Sequence, residues 1–139
     1  MTRILLLGGT TEAGLLARAL ADAGMQAVYS LAGRTEAPAR QPLPLRIGGF
    51  GGVAGLEGYL RAEGISHVID ATHPFASGMS SNAVLACERA GVALMALERP
   101  AWEPVSGDRW TRGASGAEAA AALPQTPTRV FLEIGRAHV

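Results

Sequence analysis

Asp70, Thr72 and His73 fall within four residues of one another in the stretch DATHPFASGMSS, residues 70–81. An acid, a hydroxyl and an imidazole so close together suit proton transfer, because histidine exchanges a proton near neutral pH and a carboxylate can orient it. They equally suit a structural turn in which Asp70 and Thr72 satisfy loop amides and His73 bonds the backbone. Pro74 stops the run, and the serines at Ser77, Ser80 and Ser81 open a helix facing the same edge.

A second constellation opens the chain. In RILLLGGTTEAGLLARAL, residues 3–20, an apolar run meets a glycine turn and then a helical pattern. Laid over G-x-G-x-x-G-x-x-x-A, Gly8 takes the first position, Thr10 the second, Ala13 the third and Ala17 the small helix position. Gly8 and Gly9 can make the tight turn, while Ala13 and Ala17 let helix and strand pack closely. Thr10 departs from the pattern where the backbone usually comes nearest a pyrophosphate. Thr10 and Thr11 offer hydroxyl and amide donors there, so the expectation is a dinucleotide displaced from the usual pose rather than excluded.

The end of the second strand bears on which dinucleotide. An NAD site offers an acid to the ribose hydroxyls about 20 residues past the first glycine. Here the chain reads SLAGRT, residues 30–35, with no carboxylate. Ser30, Arg34 and Thr35 form a neutral and cationic set suited to a 2′-phosphate, which predicts NADPH over NADH. Arg34 as an ordinary solvated side chain is the alternative.

Two further loops carry chemistry. IGGFGG, residues 47–52, surrounds Phe50 with four glycines, either to admit a flat ligand or as a turn with Phe50 folded inward. LERPAW, residues 97–102, places Arg99 and Trp102 after a strand, and Asp108 and Trp110 follow. These suit a carboxylated planar substrate, or else a proline-bounded corner.

The elements that must hold these loops alternate. Strands are expected at Ile4–Leu7, Ala27–Leu31, Leu45–Ile47, His67–Asp70, Val92–Leu97 and Val130–Leu132. Helices are expected at Glu12–Ala23, Val53–Glu63, Ser77–Ala90 and Ser115–Leu123. This order predicts an α/β fold, a Rossmann-like parallel sheet with helices on both faces and function at the strands' carboxyl ends. Gly24, Gly64 and Gly91 then read as helix caps. The piece Thr35–Pro44 is either a loop over the site or a long connector.

Composition narrows the classes. The chain has 139 residues, 48% hydrophobic and 17% charged, with a formal net charge of zero, enough for one real core and no basic field for nucleic acid or an anionic membrane. All 12 cationic residues are arginine, which removes Schiff-base chemistry, a phosphate-loop lysine and the Tyr-x-x-x-Lys pair of short-chain dehydrogenases. Cys87 is the single cysteine and reads as a buried thiol in a reducing cytoplasm. His67 and His138 lack metal-ligand spacing, so no metal is expected. The sequence carries no signature of an oligomeric state.

In order along the chain, LLLGGTTEAG, SLAGRT, IGGFGG, DATHPFA and LERPAW resemble the precorrin-6A reductases, including the cobalt-precorrin-6A enzymes, of cobalamin biosynthesis. The resemblance implies NADPH-dependent reduction of one double bond in the tetrapyrrole-derived ring, giving the 6B (dihydro) product without metal or flavin. It implies a cofactor set of Gly8, Gly9, Thr10, Thr11, Glu12, Ser30, Gly33, Arg34, Thr35, Asp70 and Thr72. The polycarboxylate substrate would meet Gly49, Phe50, Gly51, His73, Ser77, Ser80, Arg99 and Trp102, with the proton coming from His73, the candidate catalytic residue, or from water. Residues 1–132 are expected to form the NADPH-binding domain. Residues 133–139, EIGRAHV, read as the start of the family's second α/β lobe or as an artefactual tail of a truncated reading frame. The competing readings are a non-catalytic NADPH-sensing or interaction module, or another NADPH-dependent reductase.

Overall fold

The computed structural model describes residues 1–33, 40–74 and 76–132. Contacts divide the chain into two compact units, Met1–Pro100 and a second that begins at Ala101.

The first unit is a five-stranded parallel sheet. Its strands are β1 (Arg3–Leu7), β2 (Gln26–Leu31), β3 (Leu45–Ile47), β4 (His67–Asp70) and β5 (Ala93–Ala96), in the order β3-β2-β1-β4-β5. Helices α1 (Thr11–Asp22), α2 (Gly52–Ala62) and α3 (Ser77–Ala90) connect them. Strand β1 lies central because four of its five residues are apolar and buried, as a strand covered on both faces requires.

Alternation along β1 builds two cores. Ile4 and Leu6 pack with Ala13 and Ala17 of α1 and with Ala27 and Tyr29 of β2. Leu5 and Leu7 face the other way, into a cluster with Leu56 and Leu60 of α2, Val68 of β4, and Ala83, Ala86 and Cys87 of α3. Leu5, Leu6, Leu56, Leu60 and Val68 are the largest fully buried side chains. Each contributes about 1.5–3 kcal/mol by leaving water.

Most expected elements are present, with ends shifted by a residue or two. Gly24, Gly64 and Gly91 follow α1, α2 and α3 at φ 67°, 61° and 67°, the left-handed geometry that ends a helix. One expectation is overturned: Val130–Leu132 is not a strand. A three-residue apolar run is held extended only by a ladder partner, and the described sheet pairs no strand beyond β5.

In the second unit, the expected helix Ser115–Leu123 shortens to α4 (Gly116–Ala121), with the Ser115 side chain accepting from the Glu118 amide. Asp108 accepts from the Val105 amide and from Trp110 Nε1. No helix among the described residues is long and apolar enough to cross a membrane.

Candidate functional site

The turn after β1 is set from below by Tyr29. Its hydroxyl accepts from the Gly9 amide at 3.1 Å, while the Gly8 amide donates to Ser30 O at 2.9 Å. A Cβ on Gly8 would fall 2.2 Å from Tyr29 Cζ, so only glycine lets the strand end cross the ring. Tyr29 is a residue the sequence reading missed.

Thr10 does two jobs for the fold. Its Oγ1 accepts from the Ala13 amide at 3.1 Å, capping α1, and donates to Ala71 O at 2.8 Å, tying the turn to the loop after β4. The threonine at the second glycine position thus directs its hydroxyl into the protein. Glu12 accepts from its own amide, which with the Arg99 guanidinium holds its carboxyl below the ordinary 4.5. The amides of Thr10 and Thr11 have no partner among the described residues, which leaves two donors at the start of α1.

At the end of β4, Asp70 is buried and accepts through Oδ1 from both the amide and the hydroxyl of Thr72, at 3.1 and 2.6 Å. Thr72 Oγ1 also lies 3.4 Å from Ser80 Oγ on α3. Of the two roles open to Asp70, the structure shows the loop-capping one. A cleft of about 230 Å³ opens here, lined by Asp70, Thr72, His73, Pro74, Ser77, Ser80, Ser81 and Glu98. Two carboxylates, three serine hydroxyls and no arginine suit an amide or hydroxyl group better than an anion. His73 is exposed at its rim.

On the other side of β1 lie the ends of β2 and β3. Ser30 is buried, and Arg46 Nη1 approaches its Oγ at 3.5 Å. Gly33 packs beside Ile47 and Gly48, so the loops after β2 and β3 close on one another. Phe50 is half-buried beneath the Arg46 guanidinium, 3.7 Å from its ring centre, with Tyr59 edge-on at 5.1 Å. Gly51 is the N-cap of α2 at φ 86°. Gly49 supplies a carbonyl to Arg46. Arg34 and Thr35 lie outside the described residues.

Arg99, expected as a substrate clamp, donates through Nε to Glu12 at 2.7 Å. This pair joins the segment after β5 to the start of α1 across the top of β4. Trp102 belongs to the second unit. Among the described residues, no group of three His, Cys, Asp or Glu side chains could hold a metal ion.

Known proteins share this arrangement. Residues 3–139 match the family described as precorrin-6x reductase CbiJ/CobK. The precorrin-6A reductase of Rhodobacter capsulatus is 66% identical over 139 residues, 100% of this chain and 55% of the relative. That of a Sinorhizobium species is 56% identical over 135 residues, 96% of this chain and 52% of the relative. A solved CobK precorrin-6A reductase superposes with a TM-score of 0.94 at 66% identity, covering 98% of this chain and 54% of that one. The chain thus spans about half the length of the relatives it matches.

Proposed function

This chain belongs to the precorrin-6x reductase family, and from that premise we propose that its sheet crest binds NADPH for the reduction of precorrin-6A to the 6B (dihydro) product in cobalamin biosynthesis, in the cytoplasm. The observation that carries the reading is the turn after β1. There Gly8 and Gly9 are pinned over Tyr29, and the amides of Thr10 and Thr11, without a partner among the described residues, stand at a helix N-terminus, the local geometry that receives a pyrophosphate.

The residues fit a dinucleotide lying across the crest. Gly8, Gly9, Thr10, Thr11 and Glu12 would hold its diphosphate, Ser30 and Gly33, with Arg34 and Thr35 by their place in the sequence, its 2′-phosphate, and Asp70 and Thr72 its other end. The bound coenzyme supplies a hydride. The chain's own work is orientation, holding the donor ring against an electron-poor carbon of a conjugated substrate that spreads the developing charge itself. Gly49, Phe50, Gly51, Ser77, Ser80 and Arg99 are assigned to the substrate, and His73, exposed at the cleft rim, to delivering the proton to the adjacent carbon.

Titration with NADPH and NADH tests the coenzyme assignment; equal affinity for the two overturns it. Precorrin-6A-dependent oxidation of NADPH, followed by absorbance, tests the reaction. NADPH binding without such oxidation by the full-length enzyme points instead to a sensing module. Turnover and pH dependence unchanged in His73→Ala would remove His73 as the donor.

A further inference from the structure

Among the described residues, Arg46 is a cation at the ends of β2 and β3. Strand register sets its position: Arg46 pairs with Ser30, Ser30 with Leu7, and Leu7 with Asp70, so these four residues form one row across the sheet. At about 4.8 Å per strand, Arg46 and Asp70 lie about 14 Å apart along that row. This puts the guanidinium and the carboxylate-lined cleft at opposite ends of the crest, with the β1–α1 turn between them.

Arg46 is rigidly held, and among the described residues no carboxylate pairs with it. Nη1 donates to Gly48 O at 2.6 Å and Nη2 to Gly49 O at 2.9 Å. The guanidinium also stacks 3.7 Å over Phe50 and lies 5.1 Å from the centre of the Tyr59 ring. Carbonyl dipoles and ring faces stabilise a cation without neutralising it. Of its five N–H donors, Nε–H and one on Nη2 have no partner there. A half-buried guanidinium fixed in orientation, with spare donors and a serine hydroxyl beside it, is preorganised for a dianion.

We propose that Arg46 is a specificity-determining residue that, together with Ser30, takes the 2′-phosphate monoester of the coenzyme. The assignment rests on the NADPH reading above. It names a cation from β3 that the set expected from the sequence, Ser30, Arg34 and Thr35, does not include. By stapling Gly48 and Gly49, Arg46 also fixes the loop that carries Phe50, so phosphate binding and loop position share one side chain.

The test is calorimetric titration of the 139-residue chain with 2′,5′-ADP, 5′-ADP, NADPH and NADH, for the wild type, Arg46→Gln and Ser30→Asp. The expected result is a wild-type preference for the 2′-phosphorylated ligands. In Arg46→Gln, NADPH binding should weaken about tenfold or more while NADH stays within about threefold. Ser30→Asp retains Arg46 but supplies an internal counter-anion beside it, and it should abolish the preference even if Arg46→Gln fails to fold. A wild type that does not distinguish 2′,5′-ADP from 5′-ADP sinks both the coenzyme reading and this one. A wild-type preference that survives in Ser30→Asp or in folded Arg46→Gln, or equal weakening of NADPH and NADH in Arg46→Gln, leaves the coenzyme reading standing and overturns the role of Arg46.

Discussion

The ring of Tyr29 occupies the space that a side chain on Gly8 would need, and its hydroxyl accepts the Gly9 amide at 3.1 Å. One buried residue of β2 thereby fixes both glycines of the β1–α1 turn. With Cζ only 2.2 Å from the Cβ position, Gly8→Ala must displace the ring or the strand end. The expected cost is about 1–3 kcal/mol, as for other overpacked sites. Tyr29→Phe keeps the ring and loses one hydrogen bond to a partly solvated amide, so about 1 kcal/mol or less is expected. Urea midpoints for the two variants check the order; a Gly8→Ala midpoint equal to wild type would show that the ring moves freely and sets nothing.

Gly55 and Gly58 lie on the same helix and make opposite predictions. A Cβ at Gly55 would sit 1.7 Å from Phe50 O, a backbone atom that no rotamer change can clear, whereas at Gly58 nothing lies within 4 Å. Gly55→Ala must therefore push the start of α2 away from the Phe50 loop, at a cost on the order of 2–4 kcal/mol. Gly58→Ala should stabilise by about 0.5–1 kcal/mol through lower unfolded-state entropy and better helix propensity. Thermal melts read both signs. Gly55→Ala should also alter coenzyme binding, because the displaced loop carries Gly48 and Gly49, the acceptors of Arg46.

What the sequence made legible was local, and what it hid was tertiary. The apolar runs, the glycine turn and the left-handed caps all follow from periodicity and backbone chemistry within a few residues. The cap at Thr10 has a local signal: a threonine just before a helix is a capping residue first, and its Oγ1 does accept from the Ala13 amide. Arg99 and Glu12 stand 87 residues apart, and no pattern along the chain announces their contact. Tyr29 fits ordinary strand alternation, and Arg46 lies in a strand of three residues, too short for its facing to be read. The run Val130–Leu132 had strand composition, but composition supplies no neighbour to pair with.

The Glu12–Arg99 pair gives the unfolding curve a defined acid limb. The Glu12 carboxyl is held below 4.5, first by its own amide at the start of α1 and then by Arg99. A carboxyl with a depressed folded value lends stability that is fully present above its unfolded value and lost as pH falls through the folded one. Glu12→Gln should therefore melt lower than wild type above pH 4.5, and the two curves should converge at more acid pH. Added salt should shrink the gap above 4.5, because Arg99 is largely exposed. A gap that persists unchanged through the acid range would assign the loss to packing rather than to charge.

Cys87 tests whether the α2–α3 side of the sheet is sealed. The thiol packs among Leu5, Leu7, Leu56 and Leu60 at 2% exposure, and this burial pushes its pKa above the ordinary 9.0. Both facts suppress the thiolate, so a disulfide reagent at neutral pH should label the native chain only as fast as it opens and should titrate one thiol per chain in urea. Because the folded value is raised, the associated stability is intact below 9.0 and declines as pH rises beyond it. Cys87→Ala should cost about 1 kcal/mol. Cys87→Ser should cost about 1–3 kcal/mol, less where the new hydroxyl bonds back to its own helix. Rapid labelling of the folded protein would mean that α3 lifts from the sheet on the time scale of the assay, and would undercut the fixed placement of Ser80 beside Thr72.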